Sequence, residues 1–174
     1  VYNSVALATK EHDIGASIIF VPAGMAADAI LEAAEAEIPW IICITEGIPQ
    51  QHMLSVLDKI KDKPVTVIGP NTPGMITPGQ AKIGIMPGQI FTPGPVAVLS
   101  RSGTLTYETA ARLSAAGLGQ TVGLGIGGDP FIGQKFVDLI DLLENDPKTE
   151  AVLVLGEIGG GAEEDLASRV IEKN

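Results

Sequence analysis

The chain has 174 residues, of which 45% are hydrophobic and only 4% aromatic, with 21 glycines, 12 prolines and a formal net charge of −10. The acidic balance, without any Lys/Arg cluster, excludes a nucleic-acid surface, and the apolar runs fall well short of the ~20 residues that cross a membrane. A single cysteine, Cys43, rules out a disulfide framework; inside "WIICI" it reads as a buried, inert thiol compatible with a reducing compartment.

In chain order, residues 1–9 read as a helix already under way. They lack the charged start and apolar core of a signal peptide, and with Val at position 1 the expectation is a processed or truncated piece of something longer. Residues 16–21 ("ASIIFV") form a β-rich run stopped at Pro22. "MAADAILEAAEAEI" from Met25 has helical periodicity, "PWIICIT" is the next strand, and "IPQQHMLSVLDKIKDK" is an amphipathic helix leading into the strand "PVTVIG". Buried runs without alternation, separated by helices, predict parallel strands covered on both faces. From 70 to 95, Pro-Gly pairs recur too often for a helix or a long central strand, and the passage reads as an extended connector. A second unit then follows, with strands at 96–100, 121–126 and 151–155 and helices near 104–116, 133–144 and 162–173.

Ligands of open α/β folds sit outside the carboxyl ends of the strands. The candidates are therefore 22–24, 45–47, 70–71, 100–104, 125–130 and 156–161, nearly all small or polar. At "SRSGT" a strand feeds directly into a helix. The first amides of that helix lack intrahelical partners and carry positive potential, Gly103 admits close backbone approach, and Ser102 adds a hydroxyl. The corner suits phosphate or carboxylate, and equally suits a plain N-cap. A P-loop would need a lysine that is absent, and a nucleophile elbow needs a glycine two residues before the serine. His12 and His52 lie in or beside helical patterns of the first unit and read as surface or half-buried histidines. Glu157, between a strand and three glycines, can orient a cationic or histidine side chain, or can be a solvated loop acid. Glu163, Glu164 and Asp165 read as first-turn acids favoured by the dipole. "GLGIGG" is a weak dinucleotide signal, Asp129-Pro130 reads as a turn and helix-start device, and no cluster has metal-ligand spacing.

Six motifs occur in order: "ITEGIP" (44–49), "GPNTPG" (69–74), "KIGIMPG" (82–88), "SRSGTLTYE" (100–108), "GIGGDP" (125–130) and "GEIGG" (156–160). Together they resemble the α-subunit family of succinyl-CoA synthetase over essentially all 174 residues. ATP-citrate lyase is similar at the Ser-Arg-Ser-Gly corner and the Gly-Glu-Ile-Gly-Gly loop but differs after the Ser-Gly, and NDP-forming acyl-CoA synthetases are more distant. The resemblance implies an α/β fold: part of a Rossmann-like CoA-binding domain (1–79), a Pro/Gly-rich connector (80–95) and part of a flavodoxin-like parallel α/β ligase domain (96–174). It implies interconversion of succinyl-CoA, phosphate and NDP with succinate, CoA and NTP through succinyl-phosphate and a phosphohistidine. A β subunit (αβ or α2β2) would bind ATP or GTP with Mg²⁺, in the cytoplasm or the mitochondrial matrix, with neither nucleic acid nor membrane involved.

Carried over motif by motif, Ile44, Thr45 and Glu46 line the CoA site, and Tyr107 contacts substrate shared with the β subunit. Ser102 and Gly103 open the helix that holds the phosphoryl group, Asn71 joins the substrate and phosphate set, and Glu157 steadies the histidine. The family's Gly-His loop, its early CoA-binding lysine and its N-terminal Gly-rich turn are not among these residues, so the bare 174-residue chain is expected to be inactive. The alternatives are a non-catalytic CoA- or anion-binding module and a related citrate or acyl-CoA ligase.

Overall fold

The computed structural model describes residues 1–173. Its first half alternates helices and strands: α1 (Val5–Glu11), β1 (Ala16–Ile19), α2 (Ala23–Glu35), β2 (Trp40–Cys43), α3 (Gln50–Ile60) and β3 (Thr66–Ile68). The three strands form a parallel sheet in sequence order. Helix α1 starts at Val5, four residues later than the helix expected from Val1, because the Ser4 hydroxyl accepts from the Leu7 amide at 3.3 Å and caps it. Helix α2 packs closely through a small-residue stripe, Ala26, Ala27, Ile30, Ala33 and Ala34, all buried. The apolar runs of β2 and β3 divide between two faces. Ile41, Cys43 and Val67 pack under α2 and α3, while Ile42 and Ile68 point the other way.

The second half carries β6 (Pro93–Ser100), α4 (Gly103–Ala115), β7 (Gln120–Gly125), α5 (Phe136–Glu144), β8 (Ala151–Leu155) and α6 (Ala162–Lys173). Strand β6 pairs in parallel with β7 and with β8. The passage expected to be an extended connector is instead partly folded. Residues Gly74–Thr77 (β4) and Ala81–Gly84 (β5) form an antiparallel hairpin, followed by a 3₁₀ turn at Gly88–Ile90. Strand β4 pairs antiparallel with β7, giving the order β5-β4-β7-β6-β8. The prolines fit because they flank these two short strands and do not interrupt their pairing. Strand β6 also begins three residues before the expected Val96.

Helix α5 lies between the two sheets. Its Phe136 and Leu139 are buried with Ile42 and Ile68 from the first sheet and Leu99, Leu124 and Ile126 from the second. The two halves therefore share one core. Helix α5 starts at Phe136, not near Gly133, because the amides of Gly133 and Gln134 are taken by the carbonyls of Gly69 (2.8 Å) and Val67 (2.9 Å) in and after β3.

Candidate functional site

The carboxyl ends of β1, β2 and β3 face those of β6, β7 and β8 across an open cleft of about 780 Å³. It is lined by Phe20, Ile44, Thr45, Glu46, Asn71, Arg101, Gly103, Tyr107 and Glu157, among others. Seven of the eight residues predicted from sequence thus meet in one space. The eighth, Ser102, sits at the start of α4, where its Oγ accepts from the Leu105 amide at 3.3 Å. Its N-cap reading and its anion-site reading coexist, since a capped helix still leaves first-turn amides without intrahelical partners.

The corners are braced by a small set of hydrogen bonds. Thr45 Oγ1 donates to the Val21 carbonyl at 2.7 Å, tying the end of β2 to that of β1. The Asn71 amide donates to the Thr45 carbonyl at 2.9 Å, and Asn71 Nδ2 donates to Asp129 Oδ1 at 2.8 Å. Buried Thr72 donates to the Gly125 carbonyl at 2.5 Å. These two bonds link the loop after β3 to the loop after β7. Asn71 holds a left-handed φ of 56°, which asparagine tolerates better than most residues. Gly127 (φ 107°) is required where the loops touch, because a Cβ there would lie 2.2 Å from the Pro70 carbonyl oxygen. Asp129 is thus a loop-to-loop clamp, seven residues ahead of α5, and not the helix-start device expected.

At the second half's corner, the Ser100 hydroxyl is buried and fully used. It donates to the Ser102 carbonyl at 2.8 Å and accepts from the Ser102 amide at 3.0 Å. The turn between β6 and α4 is therefore rigid before any ligand arrives. Gly103 is not demanded by packing, for a Cβ there would meet nothing within 4 Å. The space beside this helix N-terminus is open. Tyr107 projects from the second turn of α4, and burial lifts its hydroxyl above the usual phenol value of 10.0. Glu157 is half-exposed at this corner. Its side chain is 51% exposed, and its nearest cation is Arg101, with Nε at 3.8 Å from Oε2. Glu163 is more than a first-turn acid, since it accepts from the Glu157 amide at 3.0 Å.

Arg101 is the residue missed by sequence reasoning. Its Nε and Nη2 donate to the carbonyls of Gly127 (3.4 Å) and Asp129 (3.1 Å). The signal was present: among all the strand-end corners, Arg101 is the one basic residue. Neither His12 nor His52 lines the cleft, and no group of acids, histidines or cysteine among the described residues can hold a metal. A second, more enclosed cavity of about 590 Å³ lies between Trp40, β4, β7 and α5, and contains none of the predicted residues. Among the described residues no helix is long and apolar enough to cross a membrane.

Residues 1–47 match the model of a CoA binding domain, and residues 99–174 match that of CoA-ligase. The two halves of the α/β fold thus correspond to a CoA-binding part and a CoA-ligase part. Curated relatives include the α subunit 2 of ADP-forming succinate–CoA ligase from Archaeoglobus fulgidus, 53% identical over 99% of this chain and 60% of its own length. The corresponding α subunit of Aquifex aeolicus is 53% identical over 99% of this chain and 57% of its own. The chain is thus similar to α subunits of ADP-forming succinate–CoA ligase over nearly all of its own length, and spans somewhat under two thirds of the length of those relatives. Among solved structures, an ATP citrate lyase of Methanosaeta concilii in complex with (3S)-citryl-CoA superposes with TM-score 0.87 at 28% identity, covering 99% of this chain and 30% of that one. A dinucleotide-forming acetyl-CoA synthetase of Ca. Korarchaeum cryptofilum superposes with TM-score 0.78 at 23% identity, over 97% of this chain and 38% of that one, a likeness of fold alone.

Proposed function

We propose that this chain is the CoA-binding and ligase core of a succinate–CoA ligase α subunit. The observation that carries the reading is the meeting of Ile44, Thr45, Glu46, Asn71, Gly103, Tyr107 and Glu157 in one cleft, although they come from both halves of the chain. In this reading CoA lies along the loop after β2, at Ile44–Glu46. Phe20 and Ile85, 58% and 54% exposed in the cleft, give its less polar arm a surface. The first-turn amide of Gly103, at the helix start that Ser102 caps, holds phosphate and then the phosphoryl group with the help of the helix dipole.

The reaction proceeds by acyl and phosphoryl transfer. A phosphate oxygen attacks the succinyl-CoA carbonyl, and the C–S bond breaks to release CoA as thiolate, leaving succinyl-phosphate. A histidine nitrogen then takes the phosphoryl group as succinate departs, and NDP accepts it from phosphohistidine. The chain's own residues hold the anion, orient the acyl group through Tyr107 and Asn71, and steady the imidazole through Glu157. The histidine belongs to a segment outside these 174 residues. ATP or GTP with Mg²⁺ belongs to a β subunit, in αβ or α2β2 assembly, in a cytoplasmic or mitochondrial-matrix setting.

The test is CoA-thioester formation by the full-length polypeptide with its β partner, supplied with NTP, CoA and one acid at a time. Turnover with succinate supports the reading. Turnover with citrate or acetate and none with succinate overturns it in favour of a related ligase, and CoA binding without turnover favours a binding module.

A further inference from the structure

We propose that Arg101 is a positioning residue that builds the phosphate site and sets its specificity for a doubly charged tetrahedral oxyanion; this rests on the ligase reading above. The guanidinium is a rigid fork with five donors and a permanent charge. In this fold two of its nitrogens are spent on neutral acceptors, the Gly127 and Asp129 carbonyls. Those bonds fix the plane of the fork without cancelling its charge. Among the described residues the one carboxylate within 4 Å is that of Glu157, 3.8 Å from Nε and half-exposed, whereas the Arg101 side chain is 14% exposed; the Asp129 carboxylate is engaged by Asn71 Nδ2. Glu157 therefore compensates the cation weakly through a solvent-screened contact.

The third nitrogen, Nη1, has no acceptor among the described residues, and it is not sealed from solvent. Arg101 lines the cleft, one residue before the N-cap of α4 and beside the open space at Gly103. A pinned cation with surplus charge thus stands next to a helix N-terminus that already favours anions. The same residue ties its corner to two others, because its side chain holds the loop after β7 and its backbone amide donates to the Leu155 carbonyl at 3.0 Å at the end of β8. An incoming phosphate competes with Glu157 for the guanidinium and releases that carboxylate to take a histidine N–H. Lysine does not reproduce this arrangement, since its three donors radiate from a single tetrahedral nitrogen and lack the planar fork of separate nitrogens that reaches both carbonyls.

The experiment is steady-state kinetics of the full-length chain with its β partner, in the succinyl-CoA-plus-phosphate direction, for wild type, Arg101→Lys and Arg101→Ala. The expected result is a phosphate KM raised roughly 10- to 100-fold in both variants, with the CoA-thioester KM unchanged and partial rescue of Arg101→Ala by millimolar guanidinium. Wild-type kinetics in Arg101→Lys would overturn the proposal by reducing the role to charge. Equal losses for phosphate and thioester, with no guanidinium rescue, would overturn it in favour of a bracing role. A wild-type complex without phosphate-dependent turnover would instead overturn the ligase reading itself, and the inference with it.

Discussion

At the scale of single residues, the cleft separates side chains that shape the backbone from those left to meet a ligand. Gly103 belongs to the second kind: its φ is not left-handed and its missing Cβ leaves open space. Replacing it by alanine should leave stability unchanged or raise it by up to about 1 kcal/mol, since alanine is the better helix former. The phosphate KM of the complete enzyme should nonetheless rise about tenfold, equivalent to about 1.4 kcal/mol. A melting curve and a phosphate titration check the two halves separately, and a fall in Tm with unaltered KM would make Gly103 a fold residue. Glu157→Gln keeps the volume and removes the charge. It should slow phosphohistidine formation in the complete complex roughly 10- to 100-fold, the range for a residue that orients another, while CoA binding is kept. Rapid-quench labelling with NTP measures the first and calorimetry the second.

Cys43 is fully buried, and burial pushes its thiol up to about 11. The folded chain should therefore resist thiol reagents at pH 8 and react only on unfolding.

At the scale of elements, legibility followed the source of each element's stability. Strands β1, β2, β3, β6, β7 and β8 came through as apolar runs because burial on both faces leaves a signal in composition. The β4–β5 hairpin did not, since its residues are held by pairing with β7, a long-range event, and its local signal was Pro and Gly. The start of α5 was misplaced for a similar reason, as the bonds that delay it come from β3. Residues that line the cleft were legible where a strand end meets a helix start; the guanidinium of Arg101 was not, because its acceptors lie 26 and 28 residues away in sequence.

Helices α5 and α6 are joined by Asp141, which accepts from Arg169 at 2.6 Å and lies 2.7 Å from Lys173. The Arg169 hydrogen bond, then that of Lys173, holds the carboxyl below its usual value of 3.8. A depressed folded-state pKa contributes stability above the unfolded value and loses it as pH falls through the folded one. Asp141→Asn should therefore lower Tm modestly at pH 7, with the gap closing below pH 3.8 and shrinking with salt, because the site is partly exposed.

At the scale of the whole molecule, the shared core explains how two α/β halves keep their strand ends opposed. Phe136, fully buried between the sheets, carries that alignment. Phe136→Ala should cost about 3–5 kcal/mol and lower CoA and phosphate affinity together, because both walls of the cleft depend on it. Denaturant unfolding and calorimetry test this, and a loss of stability without any change in affinity would show that the halves align without α5.

We propose that the facing strand ends form one ligand cleft for CoA and phosphate. Hydrogen exchange of the full-length chain, read by mass spectrometry with CoA alone and then with phosphate alone, tests it most directly. CoA should slow exchange at amides 44–47 and 71–72, and phosphate at amides 101–106, with each effect confined to its own wall. Protection instead around Trp40 and α5 would place the ligands in the second cavity and not in this cleft.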